Sequence, residues 1–170
     1  MNTSDNVSGA DNQQERLMSG DYLAGFTDGE GTFYIGFGFR KDLPLKWQII
    51  TEFHVSQNPG GRNVLEYFQK VLGCGYLKPN HAKNPKDKSW ILIVKDRQDL
   101  ENKVIPFFEK YPLYTNKKGD FEKFCQVLKF IKTGKHLIRD GFKDMVELIL
   151  ADEILDHRRY SKSYILSHLN

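Results

Sequence analysis

The sequence predicts an α+β fold in the order α-β-β-α-β-β-α, with one saddle-shaped antiparallel sheet laid over helices. Three observations carry this. Thr32 to Arg40 alternates apolar with small or polar residues, the two-residue period of a strand with one buried and one open face. Lys46 to Val55 repeats the alternation beyond a turn at Asp42-Leu43-Pro44, which makes a hairpin. Arg62 to Leu72 and Asp120 to Thr133 instead place apolar residues at three- and four-residue steps, the period of helices that cover a sheet.

Residues 1–18 are mostly polar, rich in Asn, Gln, Asp and Ser, and are expected to be flexible. A helix follows from about Gly20 to Asp28, with Ser19 or Asp21 able to accept an orphan N–H at its start. Ala24 and Gly25 stand together inside it. Glycine costs a helix interior about 1 kcal/mol against alanine, and close approach of another backbone is one reason to keep it.

In the first strand Phe33, Ile35, Phe37 and Phe39 take the buried parity, and Thr32, Tyr34, Gly36, Gly38 and Arg40 the open one. Glycines there suggest close approach of another molecule. In the second, Trp47, Ile49, Thr51, Phe53 and Val55 are buried; Lys46, Gln48, Ile50, Glu52 and His54 are open. A hairpin sets the two open rows side by side. Arg40, Lys46, Gln48, Glu52 and His54 can all hydrogen-bond base edges or phosphates, and an antiparallel ribbon fits a DNA major groove. A solvated sheet face shows the same pattern.

Beyond the loop at Ser56 to Gly61, Val64, Leu65, Phe68, Val71 and Leu72 face inward on a helix that Gly73 closes. Tyr76 to Asn80 and Ser89 to Val94 make a second hairpin. From Tyr76 to Arg97 there are six Lys or Arg against two acids, a loop able to straddle phosphates. Trp90, Leu92 and Val94 alternate with Ile91 and Ile93, so neither parity stands out as open. Arg97 to Phe108 reads as helical up to Pro106. Asp120 caps the next helix, with Phe121, Phe124, Val127, Leu128 and Ile131 inward. A last helix spans Asp140 to Leu155, and the basic segment 156–170 forms a short helix or a loose tail. One domain over residues 19–155 accounts for all of these.

The net charge of +3 is unevenly spread. Residues 1–30 hold one basic residue (Arg16) and six acids, a net of −5 that leaves +8 on the remainder. A basic body fits an anionic partner, nucleic acid ahead of membrane. Cys74 and Cys125 show neither metal spacing nor a disulfide framework, and the five histidines form no zinc pairing. No apolar run approaches a membrane span, and no secretory leader is visible. Bacterial cytoplasm and organelle both fit.

The chemistry centres on Asp21 to Gly31, D-Y-L-A-G-F-T-D-G-E-G. Asp28 and Glu30 gather at the electronegative end of the helix, where a divalent cation would offset their repulsion. The string Leu23-Ala24-Gly25-Phe26-Thr27-Asp28-Gly29-Glu30-Gly31, with an alternating strand directly after it, resembles the signature of the LAGLIDADG homing endonucleases. No second copy of the string occurs.

That resemblance implies a single-motif LAGLIDADG fold and site-specific double-strand DNA cleavage at a long, near-palindromic target. An RNA maturase that assists splicing, or a DNA-binding regulator, are the alternatives on the same scaffold. It further implies that Glu30 binds Mg²⁺ (or Mn²⁺ or Ca²⁺ in its place), with Gly29 lending a carbonyl and Asp28 helping to hold the end of the motif helix. Phe53-His54-Val55-Ser56-Gln57 resembles the strand whose glutamine positions the attacking water, here Gln57. Leu113-Tyr114-Thr115-Asn116-Lys117 resembles the turn carrying a lysine beside the scissile phosphate, here Lys117, with Lys118 next to it. Contacts to DNA are expected from Thr32, Tyr34, Gly36, Gly38, Arg40, Lys46, Gln48, Glu52, His54, Tyr76, Lys78, Asn80 and Lys118. Arg62 joins them, although Gly60 and Gly61 displace it from the usual place of a basic residue. A homodimer packed motif helix on motif helix is expected, through Leu23, Ala24, Gly25, Thr27 and Asp28.

Overall fold

A computed structural model describes residues 19–84, 86–151 and 159–169. The expectation of a flexible 1–18 segment lies outside the described residues, as do residues 152–155 of the expected Asp140–Leu155 helix, which already ends at Ile149 with Leu150 as its cap. The elements are α1 (Gly20–Glu30), β1 (Gly31–Phe39), β2 (Trp47–Gln57), α2 (Arg62–Leu72), β3 (Tyr76–Pro79) and β4 (Trp90–Val94). There follow α3 (Arg97–Asp99), a π-helical turn (Leu100–Val104), α4 (Ile105–Lys110), α5 (Lys117–Lys132), α6 (Arg139–Ile149) and α7 (Lys162–Ser167). The four strands form one antiparallel sheet in the order β1-β2-β4-β3.

Strand parity holds along the first hairpin. Phe33 and Phe37 are buried on one side with Trp47, Ile49, Thr51, Phe53 and Val55 on their partner. Phe39, at the strand end, is instead half exposed. All the helices named as packing against the sheet do so on this face. Phe33 sits among Phe53, Phe108, Phe121 and Phe124 with ring centroids 5.2–5.5 Å apart, and Leu23, Leu65, Phe68 and Leu92 close the same cluster. A second cluster joins Phe37, Trp47 and Ile49 to α6 and α7. Trp47 anchors the C-terminal helix: its indole N–H donates to the His168 carbonyl at 3.3 Å, and Tyr160 lies edge-on at 4.9 Å. Because Phe53 is fully buried, Phe53→Ala should cost about 3–5 kcal/mol in urea unfolding.

Several boundaries depart from the periodic pattern. Helix continues through Pro106 rather than ending there, because the wider π turn precedes α4 and places the proline in its first turn. Helix α5 starts at Lys117, so Asp120 lies within its first turn and is not its cap. Lys46 has a left-handed backbone (φ 61°) and belongs to the hairpin turn, off the open face of β2. Asn80 likewise follows β3, its N–H donating to the Ser89 carbonyl at 2.9 Å. Val71, expected inward, is exposed.

Candidate active site and nucleic-acid interface

Helix α1 starts where Ser19 Oγ accepts from Tyr22 N–H at 3.3 Å. It runs straight into β1, and Glu30 is its last residue. The junction needs Gly31: a Cβ there would collide with the Thr27 side chain and carbonyl. Glu30 and Gly29 are both exposed at this corner.

Register brings Gln57 to the same end of the sheet. Gly31 pairs with Val55, so Gln57 stands two residues beyond it on β2. Its Oε1 accepts from Asn58 N–H at 2.7 Å. A side chain at Gly61 would overlap the Gln57 side chain, so this glycine keeps its space clear. Arg62 does not project freely: its guanidinium stacks 3.8 Å over the Trp90 ring and its Nε donates to Glu66 at 2.8 Å.

Lys117 is tied in through Asp28. Asp28 Oδ2 accepts from Tyr114 N–H at 3.0 Å, and Oδ1 from the Thr115 N–H at 3.2 Å and hydroxyl at 2.8 Å. Thr115 Oγ1 in turn accepts from Lys117 N–H at 3.2 Å. Partial burial pushes the Asp28 carboxyl upward, but these hydrogen bonds and the Lys117 charge outweigh it and hold it below its ordinary value. So Asp28 fastens a turn 86–87 residues away to the end of the motif helix. This is the hold on the helix end that the resemblance implies for Asp28, and both its carboxylate oxygens are committed within the chain.

The motif helix corrects the expected subunit contact at Leu23, Ala24 and Thr27 and leaves Gly25 outward. Leu23, Ala24 and Thr27 are buried in the chain's own core, and Thr27 Oγ1 donates to the Leu23 carbonyl at 2.8 Å. The outward stripe is Tyr22, Gly25, Phe26 and Gly29, at helical spacing. A Cβ at Gly25 or Gly29 would touch nothing, so the fold of a single chain does not demand either glycine.

On the other side of the sheet, Thr32, Tyr34, Gly36 and Gly38 lie opposite His54, Glu52, Ile50 and Gln48. The row continues from His54 through Ile93 to Tyr76, and from Ser56 through Ile91 to Lys78. This assigns the open parity of β4. Its isoleucines are nonetheless buried, a dry floor beneath the longer polar side chains. Gly36 is not bare: Tyr34 folds over it, its ring parallel to His54 at 6.1 Å. Arg40 is paired with Asp42 at 2.7 Å and reaches Gln48 at 3.4 Å.

Glu52 is the hub of this face. Its oxygens meet Lys95 Nζ and His54 Nε2, each at 2.6 Å. Burial raises the Glu52 carboxyl, but hydrogen bonds from Lys95 and His54 prevail and lower it. Burial, with the nearby lysines, lowers His54 despite Glu52. Lys95 is therefore the cation paired with Glu52 at neutral pH, and His54 is a neutral hydrogen-bonding partner. The sequence reading counted Lys95 only within a basic stretch; its partnership with Glu52 comes from the β2–β4 register.

Cys74 and Cys125 are pushed up to about 11, burial being the first cause, so neither is a thiolate at neutral pH. Among the described residues no three His, Cys, Asp or Glu side chains cluster to hold a metal. No helix among them is long and apolar enough to cross a membrane.

A glycine-bearing helix that leads directly into an open-faced antiparallel sheet, with an acid at the joint, defines the LAGLIDADG endonuclease class of fold. The family described as LAGLIDADG endonuclease matches residues 23–128, and the chain belongs to it. It is 30% identical over 132 residues to a probable intron-encoded endonuclease 2 of Neurospora crassa, covering 76% of this chain and 28% of that protein. It is 29% identical to the DNA endonuclease I-CeuI of Chlamydomonas moewusii, covering 75% of this chain and 56% of that one. The chain thus spans about a quarter to just over half the length of these curated relatives. The crystal structure of the homing endonuclease I-TnaI superposes with a TM-score of 0.76 at 33% identity, over 88% of this chain and 96% of that one. The LAGLIDADG homing endonuclease I-LtrWI, bound to target DNA, gives 0.76 at 26% identity, over 87% of this chain and 47% of that one.

Proposed function

We propose that this chain is a site-specific DNA endonuclease that works as a homodimer with a divalent metal. The observation that supports the reading is that Glu30, Gln57 and the Lys117 turn lie toward one end of the sheet, beside a polar open face. Gly31–Val55 pairing and the Asp28–Thr115 bonds bring them there.

The donors present fit Mg²⁺ as part of a site. Glu30 and the Gly29 carbonyl are hard oxygen ligands, and Mg²⁺ keeps several waters and shares phosphate oxygens. When bound, it would polarise the scissile phosphate and make its water more acidic. Gln57 orients the attacking water by hydrogen bonding, and Lys117 stabilises charge on the phosphate oxygens. One motif supplies one such carboxylate, and cutting two strands takes two. The outward stripe with Gly25 and Gly29 lets a second copy approach closely, as small residues do at helix crossings.

The test is cleavage of duplex DNA carrying the uninterrupted sequence around the insertion point of this reading frame, with and without Mg²⁺, together with sedimentation of the protein on and off DNA. Metal-dependent double-strand cutting by a species of twice the chain mass is the expected result. Binding without cutting would favour a regulator or a maturase. A monomer on DNA would remove the two-copy reading.

A further inference from the structure

The polar hub on the open sheet face goes beyond the groups that do chemistry. On the reading of this face as a DNA surface, we infer that Lys95 is a specificity-determining residue that reads a guanine in the major groove, and that Glu52 is the positioning residue that aims it.

Three observations support the assignment. Lys95 follows β4, an interior strand of the sheet, so it stands away from the sheet edges. Its ammonium has three donors, and it pairs with Glu52 Oε1 at 2.6 Å. With its side chain 47% exposed, the ammonium keeps donors open to solvent beyond the Glu52 pair. A lysine fixed in this way differs from a mobile surface lysine, whose cost of ordering would be met only on binding. Guanine N7 and O6 are the paired major-groove acceptors that suit an ammonium.

Glu52 cannot do the reading itself. Its side chain is only 14% exposed, and both oxygens are taken, by Lys95 and by His54. The expectation of a direct base contact from Glu52 is replaced by an indirect one. The buried Ile91 and Ile93 beneath the hub keep its ion pair from being fully screened by water.

The experiment selects binding sites from a pool of random-sequence duplexes, with Ca²⁺ in place of Mg²⁺, using wild type, Lys95→Met and Glu52→Gln. Wild type is expected to yield a defined half-site. Lys95→Met should lose a preference for guanine at one position of that half-site, by roughly 5- to 100-fold, with the other positions unchanged. Uniform weakening at every position would mark a phosphate contact and overturn the assignment, and so would an unchanged site. Glu52→Gln frees a cation without deleting it. It should bind bulk pool DNA more tightly, with a salt slope steeper by roughly one, while the same guanine preference weakens. A general loss of affinity with a lowered melting temperature would reduce Glu52 to a structural part and overturn its positioning role. If wild type selects no site at all, the DNA-recognition reading itself fails, a result distinct from either variant's.

Discussion

Glu30→Gln should abolish cleavage and leave DNA binding within about twofold. The substitution keeps size and shape at an exposed helix end that packs against nothing in the core. It removes a full negative charge from the group proposed to hold the metal. Loss of metal-assisted stabilisation of about 4 kcal/mol corresponds to a ~10³-fold slower cut. Single-turnover cleavage and a gel-shift titration on the same duplex separate the two effects. A variant that still cuts at the wild-type rate would remove Glu30 from the metal site. Equal losses of binding and cutting would point to a folding defect.

Asp28→Ala is expected to slow cleavage ~10²-fold while changing DNA affinity little, because a displacement near 1 Å in a reacting group costs about that much. The carboxylate oxygens are taken by Tyr114 and Thr115, and it acts through Thr115 on the backbone of Lys117. A double-mutant cycle tests that route. Once Asp28→Ala is present, Lys117→Ala should add little, since both remove the same positioned cation. Full additivity would break the link. Asp28→Asn, which keeps one acceptor oxygen, should recover part of the rate.

Acid gives an independent reading of the same clamp. The folded carboxyl lies below its ordinary 3.8, so its stabilising share is fully present above that value. It is lost as pH falls through the lowered folded value. The stability gap between wild type and Asp28→Asn should therefore be constant above about pH 5 and shrink progressively as pH falls below 3.8. Urea melts across that range measure it; a gap that widened in acid would have the wrong sign.

Much of this architecture was legible in the chain. The alternation of Phe33 to Arg40 against Trp47 to Val55 gave the first hairpin, its buried face and its open face, because one face is apolar and the other is not. Gly73 ends α2 in the left-handed conformation its position suggested (φ 63°). The other hairpin hid its faces, since β4 is apolar on both; only pairing with Lys78 and Tyr76 separates them. The nine-residue motif identified a helix but not its orientation. Leu23, Ala24 and Thr27 share the string with Gly25 and Gly29, yet they point into the opposite environment. Lys46 kept the strand's alternation in sequence while its backbone had already turned. The Arg62 stack on Trp90 and the Glu52–Lys95 pair are long-range contacts that no local period encodes.

That α1 ends at Glu30 and β1 begins at Gly31, with no linker between the two elements, has a mechanical consequence. A helix with no hinge before its strand cannot rotate without carrying the strand along. If two copies meet along the Gly25 and Gly29 stripe, their crossing angle alone fixes how far apart the two recognition surfaces lie along the duplex. A bulkier residue at either glycine would then change the number of base pairs tolerated between half-sites, with every recognition side chain left in place.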